Sequence, residues 1–73
     1  MTGHEINELQ TLVKMVNQIA ANFSFHDDAV DQTLAHLQRF WAPALRQQMI
    51  QHVAAGGEGL DDLALQAAQR LTA

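Results

Sequence analysis

One proline and one glycine turn divide this sequence. Pro43 is the only proline, and Gly56, Gly57 and Gly59 are three of the four glycines. Between these breaks, apolar residues return every three or four positions, the period of an α-helix with one buried face. The pattern predicts an all-α fold, a small bundle of about four short helices joined by tight turns.

The first helix is expected from about Ile6 to Phe23. Leu9, Leu12, Val13, Val16, Ile19, Ala20 and Phe23 form its apolar face, with Asn17 at the edge beside Val13. "SFHDDAVD" then breaks the period. Ser24 with Asp27 three residues later resembles a capping box, with Asp27 itself as the alternative cap. The second helix is expected from about Asp28 to Trp41, with Val30, Leu34, Leu37 and Trp41 as its buried stripe. Phe40 diverges from Trp41 by roughly 100°. It shares a side with His36 and Thr33, and Arg39 faces away from the stripe.

Pro43 disfavours helix at the preceding residue and suits the first turn of a new one. "WAPAL" therefore reads as a helix–helix corner with Ala42, a poor capping residue, at the N-cap. The third helix is expected from Pro43 to about Ala55, with Leu45, Met49 and Val53 inward. Arg46 borders that apolar face and sits in the first turn, where the helix dipole disfavours a cation. Two unfavourable features at one residue predict a carboxylate or carbonyl partner. Gly56 or Gly57 can supply a left-handed C-cap, and Gly59 a further turn. The fourth helix is expected from about Leu60 to Leu71, with Leu60, Leu63, Ala64, Ala67 and Leu71 inward. Leu65 lies on its other side, a candidate surface apolar residue.

A chain of 73 residues makes one domain, expected to span residues 1–73. At this size folding buries only about 60% of the unfolded surface, so a partner is a common supplement. There is no cysteine, which excludes disulfides, thiolate zinc sites and iron–sulfur clusters held by the chain itself. Eight acidic residues against four basic ones argue against nucleic acid and anionic membranes as partners. No apolar run approaches the roughly 18 residues of a spanning helix. The N-terminus lacks the pattern of a signal peptide, so the expected location is the cytoplasm.

Residue content leaves little for catalysis. His4, His26, His36 and His52 form no i,i+4 pair and no metalloprotease motif, so each reads as a solvated or hydrogen-bonded histidine. Asp27/Asp28 and Asp61/Asp62 are sequence neighbours that diverge on a helix, and both pairs suit helix N-termini. The hydroxyl residues Thr2, Thr11, Ser24, Thr33 and Thr72 fit no nucleophile-elbow pattern. "GGEG" lacks the Lys and Ser/Thr of a phosphate loop. The chain is expected not to be an enzyme and to hold no cofactor or metal.

What remains is the corner "HLQRFWAPALR", residues 36–46, which holds the only Trp. Trp41, Pro43 and Arg46 can serve core packing. Aromatic and arginine residues also dominate interface energies, and a bundle this small is hard pressed to bury both Phe40 and Trp41.

At three places the sequence resembles one family, the delta subunits of NAD-dependent formate dehydrogenase. Met15, Asn17, Gln18 and Ile19 match the Met-x-Asn-Gln-Ile run of its first helix. His36, Leu37, Phe40, Trp41, Pro43 and Arg46 match its His-Leu-x-x-Phe-Trp-x-Pro-x-x-Arg corner. Gly57, Gly59 and Leu60 match the Gly-x-Gly-Leu before its last helix. Order and spacing agree over about residues 9–71. The family often carries Asp before the corner proline and Arg after it, where this chain has Ala42 and Ala44.

The resemblance implies a cytoplasmic accessory subunit without catalytic residues, which binds the large alpha subunit and supports assembly or stability. It places the molybdenum or tungsten pterin, iron–sulfur clusters, flavin and NAD in partner subunits only. The candidate partner contacts are Asn17, Gln18, His36, Arg39, Phe40, Trp41 and Arg46, with Pro43, Gly56, Gly57 and Gly59 shaping the corner and turns. Two alternatives are a self-associating helical homodimer and an assembly chaperone for a related oxidoreductase.

Overall fold

The computed structural model describes residues 8–73, and the chain over them is four helices. These are α1 (Glu8–Phe23), α2 (Ala29–Phe40), α3 (Pro43–Ala54) and α4 (Asp62–Gln69). No strand occurs among the described residues. The expected start of the first helix at Ile6, and His4, lie outside them.

α1 and α2 form an antiparallel hairpin, and α4 packs against both. Leu12, Val13, Val16 and Ala20 of α1 meet Leu37 of α2, Met49 of α3 and Ala64 and Ala68 of α4 in one core. Trp41 and Leu71, both just outside helices, complete it. The alanine face of α4 lets its backbone approach α1 and α2 closely. Burial of a core this size, at roughly 25 cal/mol per Å² of apolar surface, is the main stabilising term.

α2 is rotated from its expected orientation. Its buried residues are Ala29, Thr33 and Leu37, whereas Val30 and Leu34 are only half-buried. Thr33, expected on the side of His36 and Phe40, is completely buried. The cause is two-sided packing: α1 and α4 both contact α2, so its core direction lies between them. The buried hydroxyl of Thr33 donates to Ala29 O at 2.8 Å and needs no other partner.

The capping box does not form. Ser24 Oγ donates back to Ala21 O at 2.8 Å. Asp28 occupies the N-cap of α2, and its carboxylate accepts from Gln32 Nε2 at 2.7 Å rather than capping the helix. The segment 24–28 closes instead through backbone turns, including His26 N–H to Phe23 O.

The two sequence breaks act as their chemistry dictates. Ala42 is the N-cap of α3 with extended backbone (ψ 151°), and Pro43 begins the helix. At the other end, Gly56 N–H donates to Val53 O and Gly57 N–H to His52 O, a Schellman pair. Gly57 has φ +67° and is buried. A Cβ there would stand 2.7 Å from Leu65 Cδ1. Leu65 is thus half-buried over the glycine turn and not the free surface residue that its helical position suggested. α4 is shorter than expected, because Leu60 and Leu71 anchor its flanks from non-helical backbone.

Candidate functional site

The corner residues 36–46 separate into an inward and an outward group. α2 ends at Phe40, and Trp41 turns into extended backbone at ψ 138°. That change of direction buries Trp41 (6% exposed) and leaves Phe40 outside (65% exposed).

The inward group is organised by Arg46. The last carbonyls of a helix have no partner within it, and they attract cations. Arg46 reaches back from α3 to that end of α2. Its Nη1 donates to Trp41 O, and to Gln38 O at 3.2 Å. Its Nε donates to Thr72 O at 3.0 Å, so one guanidinium joins the end of α2 to the C-terminal segment. Placed badly for the dipole of α3, Arg46 is placed well for that of α2. Gln38 completes the junction: its Oε1 accepts from Thr72 N–H at 2.7 Å and from Thr72 Oγ1 at 3.1 Å. Of the two partners expected for Arg46, a carboxylate or a carbonyl, the fold supplies carbonyls. Sequence reasoning missed Gln38 and Thr72, which are 34 residues apart and carry no local signal.

A second junction holds the glycine turn. Asn17 Nδ2 donates to Gly59 O and its Oδ1 accepts from Asp61 N–H, both at 2.9 Å. His52 Nε2 contacts Glu58 O at 2.7 Å. Gly59 (φ +90°) lies against α1, where a Cβ would stand 3.3 Å from Val13 Cγ1. Both polar ends of Asn17 are therefore engaged within the chain. Its neighbour Gln18 is exposed and donates to Asn22 Oδ1 at 3.2 Å.

The outward group lies along the α1–α2 hairpin. Phe40 packs against His36 at 4.7 Å between ring centroids, and His36 meets Phe23 at 6.3 Å. Phe23 continues to His26 at 6.0 Å, and His26 to Phe25 at 5.4 Å. The Arg39 guanidinium sits over the Phe40 ring at 5.4 Å. Among the described residues, Met15, Phe25 and Phe40 are the exposed large apolar ones. Phe25, at 81% exposure, had no signal in the helical period because it lies in the turn after α1.

Among the described residues, no three His, Asp or Glu gather where they could hold a metal ion. No helix among them is long and apolar enough to cross a membrane.

The arrangement is a polar corner that fixes the backbone, with an aromatic strip turned to solvent beside it. A family model described as NADH-dependent formate dehydrogenase delta subunit FdsD matches residues 11–68. No curated protein and no solved structure matches the chain. The matched span runs from α1 into the last turn of α4 and includes both the Arg46 corner and the Asn17 junction. The chain belongs to the family of NADH-dependent formate dehydrogenase delta subunits.

Proposed function

We propose that this chain is a non-catalytic accessory subunit that binds the large subunit of a cytoplasmic formate dehydrogenase and supports its assembly or stability. On this reading, the metal–pterin centre, iron–sulfur clusters, flavin and NAD belong to the partner subunits. Family membership supports the delta-subunit assignment. The observation that carries the docking role is Phe40. It stands in the corner beside buried Trp41, is 65% exposed, and is braced by His36 and Arg39. An aromatic ring held in place at the surface contributes little to the fold and much to an interface. Fully burying a Phe is worth about 1.5–3 kcal/mol, so Phe40 keeps about 1–2 kcal/mol in reserve for a partner.

Co-expression with the large subunit, followed by affinity capture through a tag on this chain, tests the proposal. The expected result is stable co-purification, with the chain retained in the mature enzyme. A folded chain that never co-purifies refutes the binding role. A chain that binds an immature enzyme and then leaves is a chaperone and not a subunit.

A further inference from the structure

Two hollows flank the ridge formed by the exposed Phe40 ring. One, of about 430 Å³, lies between α1 and α2 and is lined by Met15, Gln18, Ile19, His36, Phe40 and Trp41. The other, of about 240 Å³, lies on the far flank of the same ridge and includes Ala35 and Arg39. The chain carries a net charge of −4, yet no acidic residue lines either hollow. The charged residue there is Arg39. It stacks on Phe40 and forms no salt bridge among the described residues, whereas Arg70 is paired with Asp31 and Arg46 is engaged with carbonyls.

We infer that the α1–α2 cleft receives an acidic amphipathic segment of the large subunit, seating apolar side chains against Met15, Ile19 and Phe40 and a carboxylate on Arg39. The inference rests on the accessory-subunit reading and names the chemistry of its contact. A cleft between antiparallel helices suits the apolar face of a third helix. Arg39 offers planar, forked N–H donors beside an apolar floor, and a carboxylate matches that fork. Charge complementarity also selects against a second copy. In a two-fold pair through this face, each Arg39 meets a surface whose lining residues include no carboxylate. A head-to-tail contact of the cleft with another copy's acidic turn builds a ring or an open filament, and light scattering reads either as self-association.

The test measures affinity for the large subunit, with folding of each variant confirmed by circular dichroism. Arg39→Glu and Phe40→Ser each alter an exposed side chain and are expected to weaken binding at least tenfold. Lys14→Glu makes the same charge change outside the cleft and is expected to leave affinity within about threefold, because exposed charges off the contact are screened. Arg39→Gln should flatten the salt dependence of binding. Carboxylate→Lys substitutions along the large subunit should restore binding to Arg39→Glu at one segment. If wild-type chain binds but Arg39→Glu is no weaker than Lys14→Glu, the cleft assignment falls and the accessory reading stands. If wild-type chain does not bind, both fall. A dimer in light scattering that Phe40→Ser dissociates assigns the cleft to a second copy and overturns the inference.

Discussion

Replacing Arg46 with alanine removes a cation from the junction of three chain segments. Its guanidinium group serves Trp41 O, Gln38 O and Thr72 O. A hydrogen bond from a charged donor contributes about 1.5–3 kcal/mol when the acceptor is otherwise buried and unpaired. Arg46 is half-buried and the Thr72 contact is exposed, so water replaces part of what is lost. The dipole terms from the end of α2 and the start of α3 oppose each other and largely cancel. The net cost comes to about 2 kcal/mol. Total stability for a domain of this length is about 4–11 kcal/mol. At about 4–8 °C per kcal/mol, Arg46→Ala should lower the Tm by roughly 8–16 °C in a thermal melt followed by far-ultraviolet circular dichroism. Arg46→Lys should fall between, since one ammonium group cannot reproduce the fork. Deleting Thr72 and Ala73 should cause a smaller loss, and one that is not additive with Arg46→Ala. A melt within about 3 °C of wild type for Arg46→Ala would refute this account of the corner. If the melt is unchanged while binding to the large subunit is lost, Arg46 is a docking residue instead.

Five further substitutions, at four positions, probe other parts of the fold. Ala42→Asp places an acceptor at the unfilled N-cap of α3 and should raise stability by about 1 kcal/mol in urea titration, with no change in slope. Gly57→Ala combines a φ of +67° with a 2.7 Å approach to Leu65 Cδ1 and should cost more than 1 kcal/mol. Gly56→Ala meets open space but sits at φ +124°, outside the left-handed region that alanine adopts, and should also cost more than about 1 kcal/mol in the same titration. Thr33→Val keeps the shape of a fully buried residue and removes a hydroxyl bonded only within its own helix. It should change stability by less than about 1 kcal/mol, whereas Thr33→Ala should cost about 1–2 kcal/mol through the cavity it leaves.

The helices were legible because burial on one side imposes a period, and the corner because Pro43 can adopt few backbone shapes. The divergence of Phe40 and Trp41 followed from helical geometry alone. Which of them turns inward did not, since that depends on α2 stopping at Phe40 and on what lies beneath it. Thr33 shows the limit most directly. A helical wheel fixes the angles between residues but not the directions from which two neighbouring helices arrive. Asn17, Gln38 and Thr72 were illegible as contacts for another reason. Their partners lie 34 to 44 residues away, and no local pattern encodes a meeting at that range. The face proposed for docking was partly visible in the sequence. Its aromatic and basic residues stood out by rarity, but which residues line its two hollows emerged only with the fold.

The fastenings at the two ends of α4 also bear on how fast the protein opens. Asn17 holds the approach to this helix, and Gln38 with Arg46 holds its exit, while Ala64, Ala67 and Ala68 supply only small contacts between. Such long-range bonds require large loops to close, so they should form after the α1–α2 hairpin has passed the transition state. Weakening them should therefore leave the refolding rate almost untouched and speed unfolding in proportion to the lost stability. The amide protons of α4 should then exchange with solvent before those of α1, which makes the C-terminal helix the first segment a free subunit releases.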